Sequence, residues 1–267
     1  MSAAQPPLIG VQRSGPALVA TLQRAPVNAI DDALLAALDA VLDLAEGDDG
    51  ISVLHLRSAH KVFCAGADLE LIRQSTATAA GRNRMVAIVQ DMQRVFARLE
   101  NAPCVTLAEL GGACVGGGFE LALACDWRIA AHEARIGLPE AGLGLLAAAG
   151  GTQRLSALAG AGIARRLILG AETVDGAEAL RLGLVQWAVP RAQLADAAAA
   201  LAQRGAAVPR STLAENKRCL ALAGAAHGDG FAAEIAATRR LYENPETRRR
   251  VAAFLDKAGT PAKEKQT

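Results

Sequence analysis

The strongest constraint on the fold of this chain is a change of periodicity near residue 190. Up to that point short apolar runs alternate with amphipathic helical patterns, and beyond it only helical patterns remain. Leu8–Arg13 and Ala17–Leu22 read as strands joined at Ser14-Gly15-Pro16, a turn-forming run. Asn28 or Asp31 then offers a helix N-cap, after which Leu34, Leu35, Leu38, Val41 and Leu42 fall on one helical face. Gly47-Asp48-Asp49-Gly50 ends that helix and 51–56 reads as a buried strand. The order then repeats. Met85, Ile88, Val89, Met92, Val95, Phe96 and Leu99 form the apolar face of a long helix. Pro103, a strand over 104–110, a short helix opening at Gly116-Gly117-Gly118 and a strand over 126–130 follow. Such alternation argues for an α/β core over residues 1–190. The helical patterns 194–204, 211–222, 231–242 and 245–257 make residues 191–267 a helical region too alanine-rich to bury a core of its own, and therefore expected to pack on a neighbour. The polar end, 259–267, is expected to fray.

Composition excludes several classes. Hydrophobic residues make up 52% and charged residues 21% of 267, which suits a globular core and not a disordered chain. Lys+Arg number 28 against 27 Asp+Glu, so nothing in the balance calls for a nucleic acid or an anionic membrane. The five cysteines (64, 104, 114, 125 and 219) are odd in number with no C-x-x-C pair, and the four histidines form no H-x-x-x-H pair. Reduced, buried thiols are the expectation, with no metal or disulfide framework. Residues 1–10 have no basic stretch leading to an apolar core, and charge or glycine breaks every apolar run before membrane-spanning length. The expectation is a cytoplasmic protein without a membrane partner.

Three stretches carry chemistry. In Phe63-Cys64-Ala65-Gly66-Ala67-Asp68-Leu69, small residues leave backbone N–H groups open to a ligand, and Asp68 can cap a following helix. An ordinary strand-to-helix turn would read the same way. In Gly111-Gly112-Ala113-Cys114-Val115-Gly116-Gly117-Gly118-Phe119-Glu120, three successive glycines cost backbone entropy that a plain turn would not require. They suit a main chain that approaches a ligand and a helix N-terminus aimed at developing negative charge. Tight helix–strand packing is the alternative. Glu120, three residues after Gly117, would lie about one helical turn away on the same side. The third stretch, Ile136-Gly137-Leu138-Pro139-Glu140-Ala141-Gly142-Leu143-Gly144, leads to Gly150-Gly151-Thr152-Gln153-Arg154. Glu140 among apolar neighbours is either an acid with a raised pKa or a solvated loop carboxylate. There is no P-loop and no G-x-S-x-G, and the Gly142–Ala147 run follows Pro139-Glu140 instead of the strand that a dinucleotide site needs.

In this order and at these separations the three stretches resemble the enoyl-CoA hydratase/isomerase (crotonase) superfamily, from about Leu8 to Lys257. The resemblance implies an α/β spiral of ββα repeats, followed by a helical C-terminal region that makes trimer contacts, as a homotrimer or a dimer of trimers. It implies that Ala67 and Gly117 donate N–H groups to a thioester oxyanion, and that Glu120 and Glu140 are the catalytic acid/base pair. Ala65, Asp68, Arg24 and Lys257 would border coenzyme A, with Ala65 at the adenine and Lys257 at the phosphates. The implied reaction is hydration of a 2-enoyl-CoA, with CoA as part of the substrate and neither metal nor redox cofactor. A Δ3,Δ2-enoyl-CoA isomerase is the closest alternative, and a non-catalytic acyl-CoA- or RNA-binding member the remote one. Four departures stand out. Alanines fill Ala147-Ala148-Ala149 where typical hydratases have Pro-Gly, Glu70 replaces a frequent lysine, Arg24–Asn28 is a short first CoA loop, and Arg248-Arg249-Arg250 replaces Glu-Gly.

Overall fold

The alternation builds a mostly parallel sheet whose connections are the expected helices. The computed structural model describes residues 7–68, 70–72 and 78–223, and beyond them 236, 240–241, 244–247 and 249–250. Strand β1 (Ile9–Ser14) pairs antiparallel with β2 (Ala17–Leu22) in a hairpin whose register places Ser14 opposite Ala17. Helix α1 (Asp32–Gly47) carries the chain to β3 (Val53–Ser58), parallel to β2, and helix α2 (Ala79–Glu100) to β4 (Val105–Leu110), parallel to β3. Strand β5 (Cys114–Val115) and the short helix α3 (Gly117–Leu123) lead to β6 (Trp127–Ala131), parallel to β4. After β7 (Arg135–Gly137) come helix α4 (Gly151–Leu169), β8 (Thr173–Asp175), helix α5 (Gly176–Arg181) and β9 (Trp187–Val189). The larger sheet has the order β1-β2-β3-β4-β6-β9 and the smaller one β5-β7-β8. The α/β architecture read from the pattern is present, and strand ends shift by no more than two residues from their expected positions.

Local chemistry explains the helix starts. Asp31, not Asn28, caps α1: the Leu34 N–H donates to Asp31 Oδ1 at 2.9 Å. Thr78 caps α2 by accepting from the Gly81 N–H at 3.0 Å. Leu34, Leu35, Leu38, Val41 and Leu42 are all buried, as are Ile88, Met92, Val95, Phe96 and Leu99. On the outer side Arg98 of α2 reaches Asp39, Asp43 and Glu46 of α1 at 3.2, 2.6 and 2.8 Å, and Arg94 reaches Asp39 at 2.6 Å. Exposed pairs of this kind contribute little singly, but the shared Asp39 fixes the register of the two helices. Among the described residues no helix is long and apolar enough to cross a membrane.

The first compact unit runs to Ala207, past the change of periodicity at 190, and the second begins at Val208. Helix α6 (Leu194–Ala206) therefore belongs with the sheets, because Leu194, Ala198, Leu201, Ala202 and Gly205 bury one face against β2, β3, β4 and β6. A Cβ at Gly205 would stand 2.9 Å from Val53 Cγ2, so this helix and the sheet meet closely. In the second unit helix α7 (Arg210–Ala221) buries Glu215, which is bonded by Arg218 and by both arms of Arg240 at 2.7 and 2.6 Å. The helical patterns over 231–242 and 245–257 fall largely outside the described residues.

Arg128 in β6 is 2% exposed and donates to three backbone oxygens: Leu184 at 2.8 Å, Ala122 at 3.2 Å and Cys125 at 2.5 Å. It ties the end of α3, at Ala122 and the following Cys125, to the segment at Leu184. Arg128→Met keeps the bulk but removes the donors. The urea midpoint should fall, with an unchanged m-value, by an amount equivalent to about 1–3 kcal/mol, the cost of buried polar atoms losing their partners.

Candidate active site

Two backbone segments lie against each other at the centre of the first unit, and glycine is what allows it. The Phe63 N–H donates to Ala113 O at 2.9 Å, the Val115 N–H to Cys64 O at 3.2 Å, and Cys64 pairs with Cys114 as an isolated parallel bridge. A Cβ at Gly118 would stand 2.1 Å from Cys64 O, a distance no side chain can occupy. Gly66, at φ +93°, turns the chain so that its own Cβ position lies 3.0 Å from Gly117 N. The glycine run is thus explained by close backbone approach, the packing reading of the sequence.

Two N–H groups of these segments stay outside the local backbone pairing. Gly66 O and the Asp68 N–H both bond Ile30, at 2.8 and 3.1 Å, so the Ala67 N–H between them faces away from that ladder. Gly117 is the first residue of α3, where an N–H has no partner within the helix. Both residues line a cavity of about 290 Å³ together with Ala65, Glu120 and Glu140.

The two carboxyls differ in environment. Glu120 is 3% exposed and accepts the Gly151 N–H at 2.8 Å. Burial pushes its pKa up to about 7, with the nearby Glu140 charge adding to the rise and the Gly151 and Ala149 N–H groups opposing it. Glu140, on the 3₁₀ turn Pro139–Leu143, is also raised by burial. Its Oε2 is buried without a hydrogen-bond partner among the described residues. The raised-acid reading of Glu140 therefore stands against that of a solvated loop carboxylate. The segment that supplies the donors to Glu120 is itself held from behind. Gln93 of α2 donates to Ala148 O at 2.6 Å, and Arg154 of α4 donates to Ala149 O at 3.1 Å while paired with Glu100 at 2.8 Å.

At the rim Arg24 is already engaged, bonding Asp31 at 2.8 Å, Asp68 at 3.1 Å and Ala29 O at 2.9 Å. Asp68 also accepts the Glu70 N–H at 2.9 Å, and that bond, with Arg24 in support, holds its carboxyl below the usual range. Ala65 is exposed at the cavity edge, and Lys257 lies outside the described residues. Sequence reasoning missed Asn28, Gln93 and Arg154. Asn28 is fully buried at φ +52° and donates to Ser58 Oγ and Phe63 O, both at 2.8 Å, tying the rim loop to the 63–68 turn. Asparagine is one of the few side-chain-bearing residues that tolerate that backbone region, which was the available signal. Among the described residues there is no cluster of three or more His, Cys, Asp or Glu that could hold a metal ion.

Glu120 links this geometry to stability. Its folded pKa of about 7 lies above the ordinary 4.5, so the folded chain holds the proton more tightly than the unfolded one. Its contribution is greatest below pH 4.5 and is lost as pH rises through 7, a decline on the order of 3 kcal/mol. Glu120→Gln keeps the acceptor for the Gly151 N–H without the ionisation. Denaturant titrations of this variant from pH 4.5 to 8 should show a markedly flatter stability profile than the parent.

Comparison with known proteins agrees with the geometry. The sequence profile described as Enoyl-CoA hydratase/isomerase matches residues 13–265. A short-chain-enoyl-CoA hydratase of Clostridium acetobutylicum is 37% identical over 196 residues, covering 73% of each chain. Among solved structures, Pseudomonas aeruginosa DspI superposes with a TM-score of 0.86 at 33% identity, covering 96% of this chain and 97% of that one. An enoyl-CoA hydratase from Bacillus anthracis gives 0.85 at 30% identity, covering 94% and 96%. With the profile spanning nearly all of the sequence, and a relative 37% identical over 73% of both chains, the chain belongs to the enoyl-CoA hydratase/isomerase family.

Proposed function

We propose that this protein adds water across the 2,3 double bond of a 2-enoyl-CoA thioester. The observation that carries the reading is the joint lining of one cavity by the Ala67 and Gly117 backbones, Glu120 and Glu140. Attack of water at C3 moves electron density onto the thioester oxygen. The two N–H groups stabilise that charge without reorganising, and losing one such donor typically costs about 2.7–4 kcal/mol of barrier. Glu120, whose carboxyl already accepts backbone N–H bonds, acts as the base that takes a proton from water. Glu140, with its unpartnered buried oxygen, acts as the acid that delivers a proton to C2. Two mutually repelling carboxyls near neutral pH hold one proton between them, which is the state this division of labour needs.

Isomerisation of a 3-enoyl-CoA requires one base and no water, and the presence of both carboxyls in the cavity favours hydration. Ala65 would border the adenine, and Lys257 would contact the CoA phosphates. Arg24 and Asp68 border the ligand as a mutually neutralised pair, so their role is to shape the rim. The helical region would make the contacts of a homotrimer or dimer of trimers. The buried thiols Cys64, Cys104, Cys114 and Cys125 suit a reducing compartment such as the cytoplasm.

Hydration of crotonyl-CoA, followed as loss of the 2-enoyl thioester absorbance, tests the reading. Glu120→Gln and Glu140→Gln should each lower the rate by roughly 10²–10⁴, the range for a positioned acid or base. Unchanged hydration in either variant would remove that residue from the mechanism, and faster turnover of 3-enoyl-CoA would favour the isomerase. In the parent, kcat/KM should rise with pH as Glu120 ionises, with an apparent pKa near 7, and fall again at higher pH as Glu140 loses the proton it delivers.

A further inference from the structure

The two backbone donors to Glu120 are held in different ways, and only one is secured by the helix that carries it. Gly151 donates to Glu120 Oε1 at 2.8 Å. The carbonyl of the same peptide unit, Gly150 O, accepts the Arg154 N–H at 2.9 Å in the first turn of α4, so helix geometry aims that donor. The Ala149 N–H, which also bonds Glu120, belongs to a turn at 148–150 that follows a stretch without regular structure at 145–147. Ala147 and Ala148 bring neither a side-chain hydrogen bond nor a proline ring to fix it. In a trans unit the C=O and N–H point in opposite directions, so whatever binds Ala148 O aims the Ala149 N–H. That partner is Gln93 of α2, fifty-five residues earlier, whose Nε2 donates to Ala148 O at 2.6 Å.

The turn also forms a partition. Gln93, Glu100 and Arg154 line a second cavity, which shares only Ala149 with the one that holds the carboxyls. Glu100 lies two turns beyond Gln93 on one stripe of α2 and reaches the turn through Arg154, which bonds Ala149 O at 3.1 Å. The charged groups acting on Glu120 are Glu140, from the 3₁₀ turn, and Arg154, from α4. Gln93 is uncharged and acts through the peptide alone. A hydrogen bond at the carbonyl end of a peptide holds it in place and strengthens its N–H as a donor, by about 10–30%.

We propose that Gln93 is a positioning residue for the base of this site: its bond to Ala148 O keeps the Ala148–Ala149 peptide turned so that its N–H faces Glu120. The proposal rests on the reading of Glu120 as the base.

Gln93→Met keeps the length of the side chain without its donor, changes no charge and falls on an exposed position. Gln93→Lys keeps a donor. Loss of an N–H bond disfavours the ionised carboxyl, so in Gln93→Met the acid limb of the kcat/KM profile for crotonyl-CoA should move to higher pH. The expected shift is about 0.5–1 unit, the equivalent of one net hydrogen bond. The rate deficit should be about threefold to tenfold on the acid side and should shrink toward the top of the profile. In Gln93→Lys the limb should stay at or below the parent's pH. The same displacement should appear without substrate in the carboxyl-carbon NMR titration of labelled glutamates, with Glu120→Gln identifying the Glu120 resonance. An unmoved limb and resonance in Gln93→Met, or an equal displacement in both Gln93 variants, would overturn the proposal. A displaced Glu120 resonance in a protein that hydrates no 2-enoyl-CoA would uphold the positioning role and overturn the proposed reaction instead.

Discussion

Contact between two stretches of main chain, 61–67 and 112–118, is the constraint on which the rest of the site depends. Gly112 meets Lys61 O and Gly118 meets Cys64 O at distances that leave no room for a Cβ, so the contact exists only because both positions are glycine. Everything chemically useful is a by-product of that approach. It brings the first residue of a short helix against the 63–67 turn, and it carries Glu120 one turn deeper into the protein, where only 3% of it is exposed.

The same exclusion of water that makes two N–H groups effective makes a carboxyl hard to ionise. The fold offsets this with a second set of backbone donors, from Ala149 and Gly151, aimed at Glu120. The result is an acid poised near neutrality by opposing large effects, burial raising its pKa and main-chain hydrogen bonds lowering it. Glu140 has only its own backbone N–H to oppose burial, and its Oε2 has no hydrogen-bond partner among the described residues. Asymmetry between the carboxyls thus arises from which loop stands behind each.

The elements legible in the sequence were those governed by local rules. The apolar faces of α1 and α2, the Gly15-Pro16 hairpin and the glycine run each state their structure in a few residues. What stayed hidden depended on partners far away along the chain. Asn28 read as a possible helix cap, yet its amide is spent on Ser58 and Phe63, thirty or more residues distant. Arg24 read as part of the coenzyme A rim, and in the fold its charge meets Asp31 and Asp68. Helix α6 read as part of a separate tail, because nothing local reveals that Gly205 lets it settle against Val53 and Trp127. Gln93 carried no signal, and Arg154 stood in a marked stretch without a role, since the importance of each lies in which carbonyl it holds.

The alanine-filled loop between Leu145 and Gly150 serves two masters. Its first residues face the cavity lip, while its last present an N–H to Glu120 and hand carbonyls to Gln93 and Arg154. The cavity lip and the proton affinity of Glu120 are therefore set by the same short piece of backbone. A change that moves the lip also moves the donors to Glu120, unless the Gln93 and Arg154 anchors absorb the strain.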